Sequence, residues 1–266
     1  MNMYRHELQS LRQSAILWAV AMSALAGLYF GIYPSIVKDA AGFTQMMGAY
    51  PASIRAALGV SLAHITSLLG YYGMISMMVA LLAAIQAMNW GVSILSRESR
   101  ERTADFLLVK PIARSTIVTA KLLAAITMLL ATTVIYDVIA VVLAELVKTA
   151  PFNSTVFFLI NLALSFLQVI FLSLGLFLSV WFTRIKSVLP LSLGVVFGFY
   201  ILGALLTTEP VGLSRCVSPF RYFDARYIIA HRGYPASSLW AGLAIVVVSI
   251  AVTYLIYGRK DIPADS

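Results

Sequence analysis

The chain has 266 residues, 61% of them hydrophobic and 11% charged, with a formal net charge of +8. A mean hydropathy of +0.90 excludes an ordinary soluble domain. The basic surplus sits beside apolar stretches, where lipid and topology account for it, so nucleic acid is not implied. The single cysteine, Cys216, excludes an internal disulfide and a cysteine-based zinc site, and His6, His64 and His231 stand far apart. Neither a metal site nor a catalytic set is expected.

Residues 1–15 read as an interfacial amphipathic helix, with Tyr4, Leu8 and Leu11 near one face and Arg5, Glu7 and Arg12 polar. A plain positively charged flank is the alternative. The first span covers 16–34 and is expected to end at Pro34. Ala24-Leu25-Ala26 has the form of a signal-peptide cleavage site, but the apolar run continues past it through Phe30. Residues 35–66 form an outer loop in which Ser53, Ile54, Ala57, Leu58 and Val60 have the spacing of a helix lying on the membrane. Arg55 and His64 are read there as solvated or headgroup-facing.

The second span, 67–95, exceeds the roughly 20 residues needed to cross a bilayer, so it tilts or extends beyond it. Tyr71, Tyr72, Met74, Met77 and Met78 make its outer half aromatic and soft. Gln86 and Asn89 lie on neighbouring faces and serve helix–helix hydrogen bonding or line a route for cargo. The third span, 116–147, carries Glu145 near its outer end beside Lys148, and Asp137 deeper, with Tyr136 adjacent and Thr132 and Thr133 a turn away. An ionisable group within a span normally faces protein or water. Asp137 is read either as a cation or cargo contact or as a protonated or hydrogen-bonded structural acid.

The fourth span, 156–182, holds Asn161 and Gln168, and the fifth, 188–206, holds Gly194, Gly198 and Gly203, read as small residues for close helix approach. An outer loop at 207–237 mixes Phe220, Tyr222, Phe223 and Tyr227 with Arg221, Arg226 and Arg232, a composition suited to the headgroup zone. Asp224 can pair there with Arg221 or Arg226. The sixth span is 238–257. Taken together, this is an all-α polytopic membrane protein with six transmembrane helices in one domain spanning 1–266. With both termini in the cytosol, twelve of the nineteen Lys and Arg fall on inner segments and seven on outer ones, as the positive-inside rule requires.

Residues 96–115 are the one long polar island, a cytoplasmic elbow between the second and third spans. Lys110-Pro111 is expected to end a short amphipathic helix over Thr103–Leu108, and Ser115 to cap the next one. The order of Glu98, Thr103, Asp105, Leu107, Leu108, Pro111, Arg114 and Lys121 resembles the loop after the second membrane helix in permease subunits of type-2 ABC exporters. Arg102 stands where that family usually has glycine, and Asp105 where it has glutamate. Arg5, Glu7 and Leu8 weakly resemble the family's N-terminal R-x-E-L sequence.

The resemblance implies a permease that does not itself hydrolyse ATP; no G-x-x-x-x-G-K-[ST] occurs in the chain. It implies two copies of an ABC ATPase subunit carrying ATP and Mg, and a second copy of this permease or a sibling. It also implies placement among lipid in the cell membrane. ATPase coupling falls to Glu98, Arg102, Thr103, Asp105, Phe106, Leu107, Pro111 and Arg114. Tyr71, Met74, Met78, Gln86, Asp137 and Tyr200 are the candidates for a cargo path. The alternative is an ion-coupled carrier, or a membrane scaffold, that uses Asp137.

Overall fold

The computed structural model describes residues 3–62, 64–100, 114–182, 185, 187–206 and 217–259, without the side chains of 56, 57, 97–100, 114 and 259. Among these residues the secondary structure is helical, with no strand. The helices are α1 (Met3–Lys38), α2 (Ala40–Gly48), α3 (Ala52–Ala57), α4 (Leu68–Arg100), α5 (Arg114–Val147), α6 (Ser154–Trp181), α7 (Val188–Leu205), α8 (Ala225–His231) and α9 (Ala236–Arg259). A 3₁₀ turn at Pro219–Arg221 precedes α8. Six of the helices (α1, α4, α5, α6, α7 and α9) are long and apolar enough to cross a membrane. Lipid selects this solution, because a spanning segment must satisfy its own backbone hydrogen bonds.

α4 and α6 form the centre, burying most of their surface, whereas the other four spans bury less than a third of theirs. α1 and α5 pack along one another on one flank, α9 packs on α6, and α7 packs on α4. Glycine sets the spacing of the central pair. A Cβ at Gly91 would stand 2.4 Å from the Leu172 carbonyl oxygen, and one at Gly175 would stand 2.7 Å from the Met88 carbonyl oxygen. The two backbones therefore touch. By contrast Gly194 and Gly198, expected to serve close approach, have nothing within 4 Å, and of the three α7 glycines only Gly203 meets a neighbour, Ser218. Gly194 and Gly198 therefore pack on no described residue of this chain, whereas Gly91 and Gly175 bring α4 and α6 together.

Residues 3–15 are the opening turns of α1 rather than a separate helix. No glycine or proline interrupts the chain before Gly27, and Tyr4 and Ser14 bond to α5 and α4 through Thr127 (3.0 Å) and Trp90 Nε1 (3.1 Å). Pro34 does not end the helix, which runs on to Lys38. Its ring removes one backbone hydrogen bond. Packing holds the final turns instead: Tyr33 donates to the Thr66 carbonyl at 3.3 Å and lies 5.2 Å from the Tyr71 ring, and Ile36 is buried. Ser115 lies within α5, which is helical from Arg114, so it does not cap that helix; its carbonyl accepts from the Thr119 hydroxyl at 2.8 Å.

Side-chain caps fix several other ends. Asp39 accepts from the Gly42 amide at 3.1 Å to begin α2, and Asn153 accepts from the Thr155 and Val156 amides to begin α6. Asp224 caps α8 through the Arg226 amide and holds the Arg226 guanidinium at 2.7 Å, which raises the Arg226 pKa further above its ordinary value. The segment carrying it is pinned by aromatic contacts, with Phe220 5.2 Å from Phe171 and Phe223 5.6 Å from both Phe166 and Tyr234. Tyr234 donates to the Leu159 carbonyl at 2.5 Å.

Candidate functional site

Two polar layers cross the apolar interior between α4, α5 and α6. In the first, Tyr72 of α4 donates to Asn161 Oδ1 of α6 and lies 3.0 Å from the Tyr136 hydroxyl of α5. Each phenol has one proton, so Tyr136 is the donor in that second bond. The Tyr72 ring is sandwiched by Phe157 at 4.2 Å and Phe30 at 5.8 Å. All three polar side chains are buried, and mutual bonding is what makes their burial tolerable.

The second layer meets α5 three and four residues before Tyr136, at Thr133 and Thr132. Thr133 donates to Gln168 Oε1 at 2.7 Å, Gln168 Nε2 donates to Gln86 Oε1 at 3.4 Å, and Gln86 Nε2 donates to Thr132 Oγ1 at 3.2 Å. This closed chain links α5, α6 and α4 and returns to α5. Each such bond within a membrane contributes about 0.6–2 kcal/mol, and here their value lies equally in fixing helix rotation. Half-buried Asn89 is not part of the chain.

Asp137 sits beside the first layer but outside it. Its Oδ1 is buried and has no hydrogen-bond partner among the described residues. Along α5, Val134, Ile135, Val138, Val141 and Val142 are exposed, while Tyr136 and Ala140 are buried, so Asp137 lies at the border between lipid-facing and packed surfaces. Glu145 pairs with Lys148 at the end of α5, with both side chains well exposed.

The remaining cargo-path candidates are dispersed. Tyr71 is buried and donates to the Tyr29 carbonyl at 2.9 Å, Met74 is buried, and Met78 is half-buried. Tyr200, also half-buried, lies 5.6 Å from the Phe220 ring. None of the six candidates lines the cavity between α4, α6, α7 and the Pro219–Arg226 segment. That cavity measures about 60 Å³ and is bordered by Gly73, Ser76, Ala163, Gly203, Phe220 and Arg226. Ligand pockets for drug-sized molecules occupy roughly 300–1,000 Å³, so this space admits only a few water-sized groups.

At the other end of the bundle, α4 and α5 lead into the charged island. Arg102, Thr103, Asp105, Phe106, Leu107 and Pro111, with the helix expected at Thr103–Leu108, lie outside the described residues. Glu98 falls on the last turn of α4 and Arg114 opens α5. At the base of the island stands a group that sequence reasoning left without a partner. Lys121 Nζ donates to the Ile94 carbonyl at 2.8 Å and lies 3.7 Å from the Glu7 carboxylate. Lys121 and Glu7 were each noted in the sequence, but nothing in their separation along the chain links them.

Gly91 and Gly175 were also missed. The signal was present as Ala87-x-x-x-Gly91 and Gly175-x-x-x-Ser179, small residues at the spacing that lets membrane helices approach.

Residues 1–262 match the family described as ABC-2 family transporter protein. The chain belongs to that family. A comparison with curated proteins gives no match. ABC-2 membership fits six apolar helices without a strand, and makes this chain a multi-pass membrane component of an ABC transporter. Such components typically are not catalytic, and the family implies an ABC ATPase subunit as partner. Among the described residues, no group of three His, Cys, Asp or Glu stands together as a metal site would require.

Proposed function

We propose that this ABC-2 protein is the permease of an ATP-driven exporter in the cell membrane, coupled through residues 96–115 to a separate ATPase. The observation that carries the reading is the family match over 1–262, joined to the motif from Glu98 to Lys121. Two ATPase copies bring ATP and Mg, and two permeases, identical or siblings, meet in the lipid to form the path. Closure of the ATPases displaces the 96–115 elbow, and rigid helices carry that displacement into the membrane.

Purification of the tagged chain from its native membrane, followed by mass spectrometry, tests this. A stoichiometric Walker-A protein that is lost when residues 98–114 are mutated is the expected result. Its absence under several detergents removes the exporter reading.

The unpartnered Asp137 oxygen favours a second reading, an ion-coupled carrier. Asp137→Asn tests that role. Transport lost while the ATPase still assembles and hydrolyses ATP assigns Asp137 to cargo or ion, transport lost from a chain that purifies without an ATPase supports the carrier, and retained transport leaves Asp137 structural.

A further inference from the structure

Lys121 is a cation in the interior of a membrane protein, with a side chain only 3% exposed. Burying an ammonium is costly unless it is paired and hydrogen-bonded. Two of the groups that satisfy it come from other helices: the Ile94 carbonyl near the end of α4 at 2.8 Å, and Glu7 from the opening turns of α1 at 3.7 Å. The Glu7 side chain is itself 14% exposed, so neither charge is well screened by solvent. The same α1 turns make two further bonds, Tyr4 to Thr127 on α5 and Ser14 to Trp90 on α4. α4 and α5 are the two helices from which residues 96–115 emerge.

We infer that Lys121 and Glu7 are positioning residues, a clasp that fastens the N-terminal turns of α1 to both roots of the charged loop. A loop displacement that moves α4 against α5 then carries α1 with it. This rests on the proposed function only for what pushes the loop. The clasp is a property of the chain alone.

Hydrogen–deuterium exchange of the full-length chain in lipid nanodiscs tests it. In Lys121→Met and in Glu7→Gln, amides of residues 3–14 should exchange about tenfold faster, equivalent to about 1.4 kcal/mol of local opening, while α6 and α9 keep wild-type protection. Lys121→Arg, which retains charge and donors, should restore protection. The Lys121→Met/Glu7→Gln double variant should be no looser than Lys121→Met, because the interaction that Glu7→Gln breaks is already gone once Lys121 is removed. Should Lys121→Met fail to fold, Glu7→Gln still reads the pair, since it leaves Lys121 on the Ile94 carbonyl.

Unchanged exchange at residues 3–14 in Glu7→Gln overturns the clasp. So do loosening spread evenly over all helices and strictly additive effects in the double variant. Failure of the exporter reading shows separately, as the absence of a co-purifying ATPase.

Discussion

Replacing Gly91 with alanine tests the central packing directly. The added methyl would lie 2.4 Å from the Leu172 carbonyl oxygen, 2.9 Å from Gly175 Cα and 3.0 Å from the Leu176 amide nitrogen. Ordinary carbon contacts fall near 3.5–4.0 Å, and all three neighbours are backbone, so no rotamer change relieves the clash. α4 and α6 must separate by roughly 1 Å, and a gap of about 0.5–1 Å forfeits a quarter to a half of the dispersion energy at each contact it opens. Overpacking usually costs about 1–3 kcal/mol. The α4–α6 seam is the most extensive in the chain, which places Gly91→Ala at about 3 kcal/mol, the upper end of that range.

The assay is unfolding by sodium dodecyl sulfate in mixed micelles, followed by far-ultraviolet circular dichroism and by tryptophan fluorescence, to which Trp90 beside Gly91 contributes as one of four tryptophans. Gly194→Ala and Gly198→Ala are the controls. Neither added methyl meets an atom within 4 Å, so both should unfold within about 0.5 kcal/mol of wild type. Gly91→Ala unfolding at the wild-type detergent fraction, or controls that lose as much, would refute the packing argument.

Other outcomes follow from the polar contacts and the motif. Tyr72→Phe leaves Asn161 Oδ1 without its donor and Tyr136 without its acceptor, and should cost about 1–3 kcal/mol in the same titration. Tyr136→Phe, which removes only a donor to Tyr72, should cost less, and equal losses would contradict the assigned bond directions. Asn153→Ala should destabilise by about 1 kcal/mol through loss of the α6 cap, read as faster amide exchange over residues 154–157. Glu98→Lys and Arg102→Glu should leave the unfolding midpoint unchanged yet uncouple ATP hydrolysis from transport in the reconstituted complex. Intact coupling in both would count heavily against the elbow's role.

The six spans are legible in the sequence because the bilayer leaves few alternatives. A stretch of about 20 apolar residues must become a helix, since lipid offers no partner for backbone amides. The polar residues within the spans are legible too: Gln86, Asn161, Gln168 and Asp137 stand out because polarity there is costly. Their pairing is not legible. Gln86 meets Thr132 and Gln168 across 46 and 82 residues of chain, and Glu7 meets Lys121, on rotations that only the packed bundle sets. Asp137 is conspicuous in the sequence, but its position at the edge of the hydroxyl cluster, with Oδ1 unpartnered, comes from the side of α5 it occupies.

Local signals misled where tertiary contact outweighs them. Pro34 is a helix breaker in isolation, but the packing of Tyr33 and Ile36 holds the chain helical to Lys38. Gly194 and Gly198 carry the spacing of a packing motif yet pack on no described residue of this chain, while Gly91 and Gly175 bring two backbones together. Composition by itself determined an all-α membrane protein, and the Glu98–Lys121 motif pointed to an ABC permease, because hydropathy and a short ordered motif are properties of contiguous residues. Which glycines touch, which polar groups pair, and that Lys121 gathers α1, α4 and α5 depend on helix rotation and depth. Those are set by the mutual fit of surfaces distant in sequence, and only the tertiary structure decided them.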